Sequence, residues 1–313
     1  MEDFISIKRA IGIAYKKQAV TLKRFDAFLT QNYPFLTKLT KEVVVKWCTK
    51  AAHESVSTLN TRSSVIRQFA KYLENIGVNA FILPHNYHPR GQKHVPYIYT
   101  EKELSLFFAE TEKCNYNSRA PYRHFIMPIF FRLLLACGLR CSEARLLKVQ
   151  DVDLENGVLS ILNAKNRNDR LVPMPESITF RMKKYAKQVH SCSEPERYFF
   201  PALNDTPMTL GNVYNNFRLF LWHAGISHTG SGPRVHDFRT TYCVYRLRAW
   251  VEEGRDLMVL IPMMSTYLGH KSFNETAYYL RLTADVFPDI RLKLERNYEG
   301  IIPDMEDFPY ETD

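Results

Sequence analysis

Apolar residues in the first ninety positions recur at every third or fourth place: Val20, Leu22, Phe25, Phe28 and Leu29, then Val43, Val44 and Trp47, then Val65, Phe69 and Leu73. That period puts each set on one face of a helix, and three such faces in succession predict a small helical bundle. Thr40 ahead of Lys41-Glu42 and the Ser57/Thr58 pair are predicted N-caps, because a hydroxyl there accepts from the free N–H groups of a first turn. Gly77 closes the third helix. From Leu83 to Tyr97 the period is lost. Pro84, Pro89, Gly91 and Pro96 interrupt a stretch rich in His, Arg and Lys, which predicts a linker over 84–97 between a first domain, 1–83, and a second, 98–298.

The pattern then changes twice. Thr100 and Glu103 have capping-box spacing for a helix start. An apolar helix over 125–137 is stopped by Gly138, and a short helix restarts with Ser142 as N-cap of Glu143-Ala144-Arg145-Leu146-Leu147. β-branched runs follow at Val152-Asp153-Leu154, Val158 to Leu162 and Leu171-Val172-Pro173, with the polar stretch Asn163 to Asp169 as a hairpin loop. Beyond Pro175 the pattern is mainly helical to about Arg296. The predicted fold class is mainly α (α+β): a helical bundle followed by a mostly helical domain with a small antiparallel sheet. The run Phe125 to Leu139 is too short to span a bilayer comfortably and holds Pro128 and Arg132, and the N-terminus lacks a basic segment followed by an apolar one. A cytoplasmic, nucleoid-associated protein with no membrane partner is expected.

Composition sharpens this picture through charge. Of the 313 residues, 42 are Lys or Arg and 33 Asp or Glu, for a net charge of +9, and 45% are hydrophobic, enough to exclude a wholly disordered chain. Residues 1–96 carry 15 basic and 6 acidic side chains, whereas residues 97–313 carry 27 of each. Within the second part, residues 299–313 form an acidic tail with six acids and no Lys or Arg, so the body before it is also basic. Two basic bodies suit a polyanionic partner such as nucleic acid. The six cysteines, Cys48, Cys114, Cys137, Cys141, Cys192 and Cys243, show no metal-ligand spacing, and no metal or cofactor is expected.

Four stretches carry groups suited to one phosphate. In Gly138-Leu139-Arg140-Cys141-Ser142-Glu143 an Arg precedes a helix start, whose free N–H groups favour an anion. Lys165 lies near the tip of the hairpin, within Ala164-Lys165-Asn166-Arg167-Asn168-Asp169-Arg170. In His236-Asp237-Phe238-Arg239 a spacing of three puts imidazole and guanidinium on one helical face. Finally, a Gly269-His270 turn is followed nine residues after His270 by Tyr279, with Tyr278 beside it.

In this order the residues resemble the tyrosine recombinase (phage integrase) family. Its pattern of Arg, Lys, His-x-x-Arg, Gly-His and Tyr is met by Arg140, Lys165, His236, Arg239, His270 and Tyr279, with Glu143 at the accessory acidic position. Two departures occur: Arg239 and His270 stand 31 apart, wider than in compact members, which suggests an insertion around Ala249 to Pro262, and Thr240 replaces the usual His after the motif Arg. The resemblance implies a core-binding domain at 1–83, a catalytic domain at 98–298, and a site-specific recombinase or integrase working through a 3′-phosphotyrosyl intermediate. It implies Tyr279 as nucleophile, Arg140, Arg239, His236 and His270 as donors to the phosphate, Lys165 as proton donor to the leaving 5′ oxygen, and Glu143 as an orienting group. It further implies double-stranded DNA with specific recombination sites, clamped between the two domains, and a homotetramer on two such sites, with the stripe Val286, Phe287, Ile290 and Leu294 available to dock on a neighbour. A type IB topoisomerase or a catalytically inactive DNA-binding protein are the alternatives.

Overall fold

The computed structural model describes residues 1–89, 95–162, 169–190, 194–270, 272–298 and 302. The chain divides into two compact units, Met1–Lys93 and His94–Asp313. Among the described residues no helix is long and apolar enough to cross a membrane.

The first unit is a bundle of α1 (Glu2–Ala10), α2 (Lys16–Asn32), α3 (Lys41–Trp47) and α4 (Val56–Asn75). Leu22, Phe25, Val44, Ile66 and Ala70 meet in its core, joined by Leu83 from beyond α4. The apolar spacing predicts the last three helices. α1 is additional, a short helix that buries only Phe4 and Ile5 and so leaves a weak periodic trace. Thr40 caps α3 as expected, but α4 is capped by Ser55, whose Oγ accepts the Thr58 N–H at 3.0 Å; Ser57 and Thr58 lie inside the helix. The described start of the predicted linker is fastened to α4. The Arg67 guanidinium donates to the carbonyls of Leu83 (2.7 Å) and Pro84 (2.9 Å), and Asn60 donates to the Pro89 carbonyl at 3.2 Å. Proline-rich composition predicts an open linker here, because it cannot reveal that a buried arginine would collect the carbonyls.

The second unit opens with α5 (Glu101–Glu112), started by the predicted Thr100–Glu103 capping box. Then come α6 (Arg123–Cys137), α7 (Cys141–Leu146) and an antiparallel sheet in the order β1 (Val152–Asp153), β2 (Val158–Ile161) and β3 (Arg170–Pro173). Leu159 faces Val172 in the register, so both strands turn an apolar residue inward. Among the described residues the unit continues with α8 (Glu176–Val189), α9 (Leu210–His223), α10 (Asp237–Glu252), α11 (Leu257–Leu268), α12 (Phe273–Val286) and α13 (Pro288–Asn297).

Two cores meet along α10. Its first turn places Phe238 in an aromatic cluster with Phe107, Phe131 and Phe217, while Cys243, Val244 and Leu247 pack against α11, α12 and α13. Tyr99 stacks on Phe238 with ring centroids 4.9 Å apart, its N–H donates to Thr241 and its carbonyl accepts from Tyr245, which fixes the entry of the chain onto α10. Of the stripe after Tyr279, Ile290 and Leu294 are fully buried in the second core and Phe287 lies against it, whereas Val286 is exposed. Ile290 and Leu294 are therefore occupied within their own unit.

Candidate functional site

The site is built where α6, α7, α10, α11 and α12 end or begin. Gly138 ends α6 in the left-handed region with φ +58°, which turns the chain sharply into Arg140. A Cβ there would stand 2.6 Å from Tyr242 Cδ1. The following helix starts two residues earlier than expected, with Arg140 rather than Ser142 at the N-cap position. The Glu143 carboxylate causes this shift: it accepts the Arg140 backbone N–H at 2.9 Å and the Arg140 guanidinium at 3.1 Å.

Glu143 is also gripped by a residue that the sequence motifs leave out. Arg170, at the start of β3, donates to both carboxylate oxygens at 3.0 and 2.9 Å, and its Nε donates to the Tyr267 carbonyl at 2.7 Å. One side chain thereby joins the hairpin, α7 and the end of α11. Burial acts to raise the Glu143 pKa, but the hydrogen bonds and charge of Arg170, the charge of Arg239 and the Arg140 N–H outweigh it and hold the carboxyl below its ordinary range. Glu143 is therefore an anion that orients arginines.

Arg239, on the first turn of α10, is completely buried. Its Nη1 donates to the Gly138 carbonyl at 2.9 Å, and its Nη2 to the Leu268 carbonyl at 3.0 Å and to His270 Nε2 at 2.8 Å. Both carbonyls lie at helix C-termini, where the backbone dipoles favour a cation, which lowers the cost of holding this charge out of water. Gly269, with φ +69°, turns the chain from α11 into His270. The His270 ring is held from its other nitrogen by Thr276 Oγ1 at 2.6 Å, and it lies against Tyr279 with centroids 5.8 Å apart and planes 27° from parallel. Tyr278 is half-buried beside it, while Tyr279 faces the histidine.

The structure thus brings Arg140, Glu143, Arg239, His270 and Tyr279 into one continuous set. His236 stands at the N-terminus of α10, one turn before Arg239, whose N–H its carbonyl accepts at 3.0 Å. Lys165 lies outside the described residues. Arg140 and Arg170 hydrogen-bond to the Glu143 carboxylate and Arg239 acts on it through its charge, so the cluster carries excess positive charge suited to a phosphate. Exposures of 4% for Arg140, 0% for Arg239, 7% for His270 and 4% for Tyr279 place these side chains beneath the surface. Arg170 and Thr276 are the members that motif spacing misses. Each carries one signal in hindsight: Arg170 ends the basic hairpin stretch, and Thr276 lies three residues before Tyr279 on the same helical face.

Asp237 stands between His236 and Arg239 on α10. It is buried at the first turn of α10 and accepts the Arg234 N–H at 2.7 Å. Burial pushes its pKa from 3.8 to about 6, against the pull of backbone N–H groups from Arg234 and Tyr97 and of the charges of His236 and Arg234. A carboxyl raised in the folded state stabilises the fold below its unfolded pKa and loses that contribution as pH rises through the folded value. Asp237→Asn should therefore gain stability relative to the parent by about 2–3 kcal/mol between pH 3.5 and pH 7.5. Parallel denaturant titrations at the two pH values measure this gain, and a difference that does not change with pH would show that Asp237 ionises normally.

The sequence pattern of the phage integrase family matches residues 99–285. The protein named "Putative integrase/recombinase y4rB" of Sinorhizobium fredii is 29% identical over 307 residues, covering 96% of this chain and 97% of that one. The tyrosine recombinase XerC of Halalkalibacterium halodurans is 28% identical over 75% of this chain and 74% of its own. Among solved structures, the Tn1549 transposon integrase in complex with transposon right end DNA superposes with a TM-score of 0.65 at 17% identity, over 94% of this chain and 98% of that one. XerH site-specific recombinase bound to palindromic difH substrate gives 0.64 at 16% identity, over 90% and 78%. At these identities the two structures establish a shared fold.

Proposed function

Since this chain belongs to the phage integrase family and is a tyrosine-type site-specific recombinase, we propose that Arg140, Lys165, His236, Arg239, His270 and Tyr279 are the groups with which it cleaves and rejoins a DNA phosphodiester. The observation that carries this assignment is the contact chain from the buried Arg239 through His270 to the ring of Tyr279. In the forward step the Tyr279 oxygen attacks phosphorus and the bond to the 5′ oxygen breaks. The phenolic proton passes to solvent water, and the leaving oxygen takes a proton from Lys165. The product is a 3′-phosphotyrosyl link, which conserves the bond energy for attack by a 5′-hydroxyl of the partner strand. Arg140 and Arg239 receive the charge that grows on the non-bridging oxygens, His236 adds a single hydrogen bond, His270 accepts from Arg239 and so keeps that guanidinium aimed, and Glu143 with Arg170 does the same for Arg140.

The substrate is double-stranded DNA carrying specific sites. Both basic units contribute phosphate contacts, so affinity falls steeply with salt. Joining two duplexes requires four active tyrosines, which a homotetramer on two sites supplies. Covalent trapping on a pool of random duplexes, followed by sequencing of the attached DNA, tests the assignment directly, and a pool that yields no adduct would overturn it.

Cleavage should proceed undiminished in excess EDTA, because fixed guanidinium groups already supply the positive charge that a divalent ion would bring to the phosphate. Adduct formation with and without chelator checks this. Loss of cleavage that magnesium restores would place the protein with metal-dependent nucleases.

A further inference from the structure

We propose that Thr276 is a positioning residue for strand transfer, acting through His270: its hydroxyl selects the form of the ring that carries hydrogen on Nδ1 and fastens that ring to the face of α12 bearing Tyr279. This rests on the assignment of Arg239, His270 and Tyr279 made above.

The tautomer follows from the chemistry of the partners. A guanidinium has donors and no acceptor, so the contact of 2.8 Å between Arg239 Nη2 and His270 Nε2 requires a lone pair on Nε2. In the neutral ring the hydrogen then sits on Nδ1, and it is donated to Thr276 Oγ1 at 2.6 Å. A valine at this position would have nearly the same shape and would offer no acceptor.

Orientation follows from the helix. Thr276 and Tyr279 are three residues apart on α12 and share a face. The histidine is thus tied by hydrogen bond to one residue of that face while its ring lies on the other. Rotation of the ring by half a turn would exchange nitrogens for carbons, and the Thr276 hydroxyl opposes it. Thr276 is fully buried, so water does not replace the hydroxyl as acceptor. The result is a ring with Nε2 kept on the Arg239 side as the acceptor that holds the guanidinium.

The experiment uses the full-length protein with Thr276→Val and Thr276→Ser, read in three ways: single-turnover adduct formation on a nicked trapping duplex, equilibrium binding to the same duplex, and nitrogen NMR of the histidine rings without DNA. The His270 signal is identified by its loss in His270→Asn. Thr276→Val should cleave about tenfold more slowly or worse while its Kd stays within about twofold, and Thr276→Ser should return to within about threefold of the parent. The parent spectrum should show His270 with hydrogen on Nδ1, and the valine variant should lose that signature. Thr276→Ala takes the place of the valine variant should the latter not fold. An active parent whose valine or alanine variant cleaves equally fast, a serine variant that fails to restore cleavage, or a parent ring with hydrogen on Nε2 overturns the proposal. A parent that forms no adduct at all instead overturns the assignment of the site on which it rests.

Discussion

Tyr279→Phe abolishes the denaturant-resistant adduct with DNA, lowering its formation by at least about 10⁴-fold, while leaving duplex binding within about twofold of the parent. The substitution removes one oxygen and keeps the ring, so the packing against His270 and the second core is retained. The competing nucleophile is Tyr278. Adjacent residues on a helix point about 100° apart, so only one of the two rings can lie on His270, and in this protein it is Tyr279. Electrophoresis in denaturant after incubation with labelled duplex decides between them. An adduct that survives Tyr279→Phe and vanishes with Tyr278→Phe would transfer the role to the neighbour.

Arg170→Met should destabilise the second unit by about 3–5 kcal/mol, the cost of leaving a buried carboxylate with too few partners. The methionine fills much of the volume, so the loss is electrostatic. Glu143 retains the Arg140 contacts but loses the paired hydrogen bonds at 3.0 and 2.9 Å, and the Tyr267 carbonyl loses its donor. For a unit of this size, such a loss lowers the melting temperature by roughly 10 °C. The pH dependence has a definite sign. Glu143 is held below its ordinary range in the folded protein, so its contribution is present above the unfolded carboxyl pKa and disappears as pH falls through the folded value. The gap between parent and variant should accordingly narrow in acid. The double variant Arg170→Met/Glu143→Gln, which removes the stranded charge, should recover much of the loss. Calorimetry on the three proteins at neutral and acidic pH measures both effects, and a single variant as stable as the parent would mean that Glu143 is adequately held by Arg140 alone.

What the sequence makes legible, and what it hides, divides by the distance over which the determining interaction acts. The long helices and the three strands come from periods of three to four and of two, which are local. So does the Thr100–Glu103 capping box, whose partners lie within one turn. The restart after Gly138 is a near miss of the same kind: Ser142 is the conventional cap residue, but the Glu143 carboxylate reaches back to Arg140 and begins the helix there. Arg170 is invisible to such rules, because its partners Glu143 and Tyr267 stand 27 and 97 residues away. The same holds for Arg67, which converts a proline-rich stretch into an attached segment by collecting its carbonyls. Among the proposed site residues, Arg140, Glu143, Arg239, His270 and Tyr279 could be named from their order along the chain. Their mutual contacts could not, because they depend on how two helix ends converge on one guanidinium.

That convergence gives the two glycines an unexpected standing. Gly138 and Gly269 never present a side chain to DNA, yet each sits at the turn that aims a helix-terminal carbonyl at Arg239: the Gly138 carbonyl itself and that of Leu268 just before Gly269. A side chain at either would meet Tyr242 or the Arg170 guanidinium at under 3 Å and would pull the carbonyl off its target. In a genetic screen for loss of recombination, alleles at these two positions, 131 residues apart, should fall into one phenotypic class with alleles of Arg239 itself. The functional unit of heredity at this site is then wider than its list of reacting side chains, and it includes two residues whose contribution is the shape of the backbone.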